Sequence, residues 1–301
     1  MDFENGEELL ECCRSDNCMI SDAMRKREIE TGHASAEEVE DKLQRVYEIM
    51  CSSIEEPLKR PQKSIGGLIG GEARSIMDHM GDGGLCGRFM TKAVAYSMAV
   101  LEENATMGLI VAAPTAGSSG ILPGVLKASM EELGYSRAQF DQGILNAGAL
   151  GYLFMRNASV AGAEAGCQAE VGSAAAMTAS ALVELGGGTP EMCLNAASLA
   201  LSNLLGLVCD PIAGLVEAPC QSRNSVGVAN AIVCAQLSLS GVRHQIPFDE
   251  MAHAMYCVGR EIPFELRETA MGGNAATPSG CRLRFRNVTG EHGCALTPLS
   301  K

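Results

Sequence analysis

Aromatic and basic side chains are scarce in this sequence, and each shortage disfavours a class of protein. The chain of 301 residues contains no tryptophan, and aromatic residues make up only 4% of it. A core must therefore consist of Ala, Leu, Val, Ile and Met, with Gly and Ser permitting close contacts, which suits packed helices better than a β-sandwich. Because 36 acidic residues outnumber 23 basic ones, the formal net charge is −13. This charge disfavours nucleic acid and anionic membrane surfaces as partners.

Long apolar runs are also lacking. One of the longest, residues 194–208, is interrupted by asparagines and serines and is shorter than the roughly 20 residues of a membrane-spanning helix. The first ten residues are acidic and lack the apolar core of a signal peptide. We therefore expect a cytoplasmic protein whose 13 cysteines are reduced, most of them buried in the core and a few acting as metal ligands or reactive thiols.

The apolar pattern predicts an all-α or predominantly α fold, a globular helical domain. Apolar residues at three- and four-residue spacings predict a helix over residues 36–50, with Ser35 as its N-cap. Pro57 and Pro61 break this pattern, and a glycine-rich turn follows at residues 65–71. We therefore divide the chain into an N-terminal helical segment, 1–60, and a catalytic domain, 61–301, unless the two form one continuous domain. Further helices are predicted at residues 91–104, 120–133, 137–157, 167–185, 190–208, 222–241 and 248–260.

Two regions depart from this helical pattern. Residues 107–113 form a short apolar run that predicts a strand or a buried extended segment. The six residues after Pro114 combine glycines and hydroxyl side chains before a predicted helix: Thr115, Ala116, Gly117, Ser118, Ser119 and Gly120. Backbone amides and hydroxyls at a helix N-terminus suit an anion such as a substrate carboxylate. An ordinary capped turn is the alternative interpretation.

Three cysteines lie at predicted helix ends. Cys167 follows a glycine-rich segment at the start of one helix, and Cys220 directly precedes another. Partial positive charge at a helix N-terminus lowers the pKa of a thiol and favours the thiolate that iron requires. Cys209 closes the preceding helix, and the loop 210–219 can bring it back toward Cys220. The spacing matches neither a zinc ribbon nor a ferredoxin, so buried thiols at helix ends remain the alternative.

Charged and polar residues accompany these cysteines. Arg223 and Asn224 directly follow Cys220 and can hold a carboxylate or an amine, or can bond to the loop itself. Glu164 and Glu170 flank Cys167. They can bind a substrate ammonium or accept a proton, although such carboxylates more often cap helices or pair with basic residues.

Three segments carry a resemblance to a known family. Residues 112–120, 162–170 and 208–224 resemble the alpha subunit of bacterial iron-sulfur L-serine dehydratase, and the similarity extends over about residues 60 to 280. The resemblance implies a 4Fe-4S cluster held by Cys167, Cys209 and Cys220, with the fourth iron open to substrate. Such an iron acts as a Lewis acid on the hydroxyl of L-serine, which is converted to pyruvate and ammonia.

The sequence also departs from the complete enzyme of that family. Single-chain members carry a Ser-Ser-Ser-His-Thr type motif that contributes to the active site, and no such segment occurs here. The resemblance therefore implies a beta subunit as partner, unless this chain has its own base. His79, beside a glycine-rich bend, is the best internal candidate, with a surface turn as the alternative. Some members use a C-terminal cysteine as a regulatory ligand, which makes Cys281 or Cys294 a candidate here.

Three other functions remain to be weighed. A pyridoxal-phosphate serine dehydratase needs a Schiff-base lysine, and no lysine lies between Lys127 and Lys301, so we expect no pyridoxal phosphate. L-cysteine desulfidation uses the same cluster chemistry with sulfide as the leaving group. A cluster-bearing sensor or scaffold without catalytic activity is the alternative from a different class.

Overall fold

Helices make up nearly all of the regular structure. The computed structural model describes residues 1–81 and 83–289. In these ranges no β-strand forms, and one isolated bridge joins Cys209 to Arg267. The predominantly helical fold predicted from the sequence is thus confirmed. The α-helices are α1 (Gly6–Asp16), α2 (Ile20–Glu30), α3 (Ala36–Lys59), α4 (Glu72–His79), α5 (Gly87–Ala105), α6 (Ile121–Glu132), α7 (Arg137–Asn157), α8 (Gly162–Ala165), α9 (Ser173–Leu185), α10 (Pro190–Leu204), α11 (Cys220–Leu239), α12 (Phe248–Glu261) and α13 (Pro278–Thr289).

Helix α3 shows how its sequence sets its ends. The Ser35 hydroxyl accepts a hydrogen bond from the Glu38 amide, and the Glu38 carboxylate accepts one from the Ser35 amide. This reciprocal cap confirms the predicted helix start. The predicted break at Pro57 is wrong, because the helix continues through this buried proline to Lys59. A proline in the last turn removes only one amide donor, and the helix ends two residues later.

The N-terminal helices share one core with the rest of the protein. Helix α2 packs against α7, and α3 packs against α5. Phe3, Leu9 and Met50 belong to the same cluster of buried side chains as Val171 and Leu182. The core is thus continuous across residue 60. The division of the chain into two domains at this position stays a prediction.

Helix α9 is the centre of this core. Every residue from Ser173 to Val183 is buried, and most are Ala, Ser or Thr, so the surrounding helices α7, α10 and α11 can approach closely. A π-helical turn, Gln168–Gly172, leads into α9 directly after Cys167. A predicted metal ligand, Cys167, therefore directly precedes the turn that leads into this buried helix.

Two sequence predictions near the site need correction. Helix α10 ends at Leu204 rather than at residue 208, because Gly206 adopts a left-handed conformation with φ of 80° that stops the helix. Cys209 consequently lies beyond the helix. Residues 107–113 form no strand, and they are largely solvent-facing, with Met107 80% and Leu109 63% exposed. None of the described helices combines the length and apolar character that a bilayer crossing requires.

Candidate active site

Two of the predicted cysteines lie together beside a carboxylate. The sulfurs of Cys167 and Cys209 and a carboxylate oxygen of Glu170 are all within 4.8 Å of one another. Cys220 is not part of this group, although Asn224 bonds both to its carbonyl and to that of Gly117, beside Glu170. The three cysteines are 2%, 2% and 6% exposed, respectively. The thiols of Cys167 and Cys209, which are distant in sequence, thus share one buried site.

Gln168 holds two of the segments that carry this site. Its side-chain amide donates to the Met255 carbonyl of α12 at 2.8 Å and accepts from the Gly206 amide at 2.9 Å. Its backbone amide donates to the Leu207 carbonyl at 2.9 Å. Since Gln168 adjoins Cys167, these bonds fix the approach of the Cys209 segment to Cys167. The π-helical turn that begins at Gln168 is of a kind found frequently at functional sites.

A segment from the C-terminal part of the chain lies along Cys209. The Cys209 amide donates to the Leu266 carbonyl at 2.8 Å, and the Glu268 amide donates to the Cys209 carbonyl at 2.7 Å. Glu268 and Ala270 have positive φ angles of 62° and 55°. Non-glycine residues rarely adopt this conformation, and such residues cluster at functional sites. The backbone of Cys209 is therefore fixed by a strained loop some sixty residues downstream in the sequence.

The surroundings of Cys209 and Cys220 raise the pKa of both thiols. The pKa of Cys209 is raised, first by its hydrogen bond with Cys167 and then by burial. The pKa of Cys220 is also raised, first by burial and then by the nearby Cys167 and Glu170, against the opposing effect of Arg223. The expectation that a helix N-terminus lowers the pKa is therefore wrong for Cys220, although this residue does begin α11. Burial, which disfavours the charged thiolate, is the largest cause of the raised pKa.

The turn predicted to hold a carboxylate lies against the same site. Ala116, Gly117 and Ser118 form a single 3₁₀ turn, and Ser118, Ser119 and Gly120 are buried. The Thr115 hydroxyl donates to the Glu170 carboxylate at 2.7 Å. The turn and the thiols are thus joined through Glu170.

Asn224 fixes the conformation of this turn. Its side-chain oxygen accepts from the Gly120 amide at 3.1 Å, and its side-chain amide donates to the carbonyls of Gly117 and Cys220 at 2.7 and 2.9 Å. Asn224 is fully buried. One side chain therefore connects the turn to the helix that carries Cys220, so its contacts are those of a residue that positions both.

Arg223 lies among the thiols but is bonded to the loop. Its guanidinium pairs with the Asp210 carboxylate at 2.7 Å, donates to the Val208 carbonyl at 2.9 Å and contacts the Cys167 sulfur at 3.5 Å. Asp210 also accepts from the Asn274 amide at 2.7 Å. These contacts match the interpretation of Arg223 as a residue that holds the loop.

Sequence reasoning missed two of the buried acids around this loop, Asp210 and Glu217. The Glu217 carboxylate accepts hydrogen bonds from the Ser64 hydroxyl at 2.6 Å and from the Gly66 and Leu68 amides at 2.7 and 3.0 Å. It therefore ties the glycine-rich turn 65–71 to the loop between Cys209 and Cys220. The only signal in the sequence is an acid within an otherwise apolar stretch close to a cysteine.

The remaining candidates lie elsewhere. His79 is at the exposed end of α4, where its Nδ1 atom contacts the carbonyl of Ser75, in the same helix, at 2.8 Å. Cys281 lies on α13, which packs against the turn Ile212–Gly214 in the loop between Cys209 and Cys220. Its sulfur contacts the Ala275 carbonyl. Cys294 is outside the described residues. A ligand role for either cysteine stays a prediction.

Comparison with known proteins identifies the family. The sequence matches the family described as "Serine dehydratase alpha chain" over residues 15–275, a range that contains the three cysteines and the turn. The chain belongs to this family. The resemblance inferred from the three motifs is thereby confirmed, and the match begins upstream of the predicted boundary at residue 60.

Relatives of similar length and longer relatives both match this chain. The probable L-serine dehydratase alpha chain of Bacillus subtilis is 42% identical over 98% of both chains. The L-serine dehydratase alpha chain of Peptoniphilus asaccharolyticus is 43% identical over 94% of this chain and 97% of that relative. The L-serine dehydratase of Streptomyces coelicolor is 36% identical over 93% of this chain but only 62% of its own length. The longer relative thus carries a further region.

Proposed function

We propose that this chain is the alpha subunit of a cytoplasmic iron-sulfur L-serine dehydratase, which eliminates water from L-serine to give pyruvate and ammonia. The observation that carries the proposal is the buried group of Cys167, Cys209 and Glu170 beside the turn 115–120, in a member of the serine dehydratase alpha-chain family. Its relatives of similar length are named L-serine dehydratase alpha chains, which supports the assignment of substrate and subunit.

The residues present fit an iron-sulfur cluster. Thiolates are the ligands that such clusters use, and Cys167, Cys209 and Cys220 are the residues that would hold it. Two glycines leave room beside these thiols: a Cβ atom at Gly162 would lie 2.5 Å from the Glu170 carboxylate and 3.0 Å from the Cys209 sulfur, and one at Gly117 would lie 3.1 Å from Glu170. When bound, the cluster supplies a Lewis acid for the departing hydroxyl.

The residues of the chain have positioning roles in this proposal. In the turn before α6, the amides of Ser118, Ser119 and Gly120 donate within the protein, so we assign the substrate carboxylate to the amides of Ala116 and Gly117. Asn224 holds that turn at a fixed distance from Cys220, and Arg223 with Asp210 holds the loop. Burial of these groups excludes water, which strengthens polar interactions with a bound substrate.

Elimination also requires a base within hydrogen-bond reach of the α-carbon proton. His79 faces Ser75 at the protein surface. We therefore assign the base to a beta subunit, a partner that the alpha-chain names of the relatives imply. The longer Streptomyces relative has room for an equivalent region within one chain.

Anaerobic reconstitution tests this function. The chain is loaded with iron and sulfide, alone and with a beta chain, and pyruvate is measured from L-serine and from L-cysteine, together with released sulfide. We expect an iron-sulfur absorption spectrum from the alpha chain alone and rapid pyruvate formation from L-serine only with the beta chain. Failure to retain iron would overturn the proposal. Sulfide release from L-cysteine without turnover of L-serine would make the protein a desulfidase instead.

A further inference from the structure

Glu170 is a buried acid in an unusual setting. Its side chain is only 9% exposed. One carboxylate oxygen, Oε1, accepts a hydrogen bond from the Thr115 hydroxyl at 2.7 Å, and the other, Oε2, lies 3.8 Å from the sulfurs of both Cys167 and Cys209. The carboxylate therefore lies between the turn and the thiols, where a substrate held by both would bind.

No basic side chain neutralises this carboxylate in the described part of the chain. Arg223 is the cation beside the thiols, and it is paired with Asp210. In the described residues, the hydrogen-bond partners of the Glu170 carboxylate are one hydroxyl and two thiols. Burying a carboxylate without a cation is costly, so a cation that enters the site stabilises the charged form of Glu170.

An amino acid brings such a cation. Its α-ammonium group is one bond away from the carbon that bears the carboxylate, so a carboxylate held by the turn 115–120 places the ammonium close to the turn as well. Thr115 fixes Oε1 and orients Oε2 toward the sulfurs. The backbone at Gly117 and Gly162 lies close to these two oxygens, where a side chain would not fit.

Glu164 provides the contrast. It also flanks Cys167 in the sequence, but its side chain is exposed and accepts a hydrogen bond from the Ser159 hydroxyl at 2.6 Å. From the sequence, Glu164 and Glu170 have the same candidate roles, but of the two only Glu170 contacts the thiols.

We propose that Glu170 binds the α-ammonium group of the substrate and thereby makes the site specific for amino acids over the corresponding hydroxy acids. This inference rests on the proposed function, because it takes the ligand to be an amino acid whose carboxylate occupies the turn.

The test uses two ligands that lack a leaving group, so binding is measured without turnover. L-alanine and L-lactate differ in carrying an ammonium or a hydroxyl group on the same carbon. Their dissociation constants are measured by calorimetry on the anaerobic, cluster-loaded complex with the beta chain, for the unchanged protein, Glu170→Gln and the control Glu164→Gln. Iron content is determined for each preparation.

We expect Glu170→Gln to weaken L-alanine binding by at least about tenfold, the effect of losing a charge-assisted hydrogen bond, and to leave L-lactate binding and iron content unchanged. Glu164→Gln should change neither constant. An L-alanine constant within about twofold of the unchanged protein would overturn the proposal. So would loss of iron from Glu170→Gln, because Glu170 would then hold the metal rather than the substrate. An unchanged protein that retains no iron or does not act on L-serine would instead refute the proposed function.

Discussion

The N-terminal helices α1 to α3 differ in their use of charged residues from the thiol region, by which we mean Cys167, Cys209, Cys220 and the segments that contact them. In α1 to α3, acids and bases pair at the surface, as in the ion pairs Arg14–Glu7 and Lys59–Glu55, whose side chains are largely exposed. In the thiol region, Glu170, Asp210 and Glu217 are buried and accept hydrogen bonds from backbone amides, hydroxyls or a guanidinium.

This difference predicts which substitutions of charged residues should destabilise the protein. Exposed ion pairs gain little because water screens them and their long side chains lose entropy on pairing. Removing a buried acceptor leaves its donors without a partner, and each such donor costs free energy. The fold of the N-terminal helices therefore depends on apolar packing, whereas the loops of the thiol region depend on a few acids.

The largest expected effect comes from a thiol itself. Replacing Cys209 by Ala should abolish iron binding and pyruvate formation together, because a ligand from a separate segment is lost. The control is Cys257→Ala, an exposed cysteine on α12 that contacts His253. Iron content and anaerobic pyruvate release are measured for both. Retention of the iron-sulfur spectrum in the Cys209 variant would remove this residue from the ligand set.

The next largest effect is expected from a glycine beside the thiols, Gly162, compared with a glycine far from them, Gly148. Gly162→Ala places a methyl group 2.5 Å from Glu170 and 3.0 Å from Cys209, whereas Gly148→Ala on α7 meets only Met24, at 4.0 Å. We expect kcat/KM to fall about 100-fold in the first variant, because displaced site groups lose their alignment. The second should keep full activity and gain stability from helix propensity. Equal kcat/KM values for the two variants would show that the space beside Glu170 is not needed.

The third prediction compares one acid from each region. Glu217→Ala leaves the Ser64 hydroxyl and the Gly66 and Leu68 amides without their acceptor, and should lower the free energy of unfolding by about 3 kcal/mol. Glu7→Ala removes an exposed partner of Arg14 and should leave the urea midpoint unchanged. Urea denaturation followed by circular dichroism measures both. Comparable losses would mean that surface pairs are as important as the buried acid.

The smallest effect should come from a helix cap far from the thiols. Ser35→Ala removes the acceptor for the Glu38 amide at the start of α3 and should cost about 1 kcal/mol of stability. Activity at a temperature well below unfolding should not change. A change in KM for L-serine would indicate that the start of α3 influences the active site.

The helices were predictable because their signals are local. Ser35 and Ser136 begin α3 and α7 as reciprocal caps, which a sequence window displays directly. The end of α10 was missed because residues 205–208 continue the apolar pattern, and only the left-handed conformation of Gly206 shows the stop. Periodicity reports burial, and it does not report backbone handedness.

The site was predictable only where a motif carried it. The motif resemblance pointed to the cysteines, and the structure places Cys167 and Cys209 together. The bond from Thr115 to Glu170 spans 55 residues, and that from Ser64 to Glu217 spans 153. Such contacts depend on how α5, α9 and α11 pack, so no local pattern distinguishes Glu170 from Glu164.

The backbone pairing of Cys209 with residues 266–268 also sets a timetable for biosynthesis. A nascent chain folds from its N-terminus, so α1 to α3 are available for folding long before the ribosome reaches Leu266. All three cysteines are by then already translated, yet the segment that fixes Cys209 does not exist. The thiol site therefore cannot be completed until residues 266–268 have been translated.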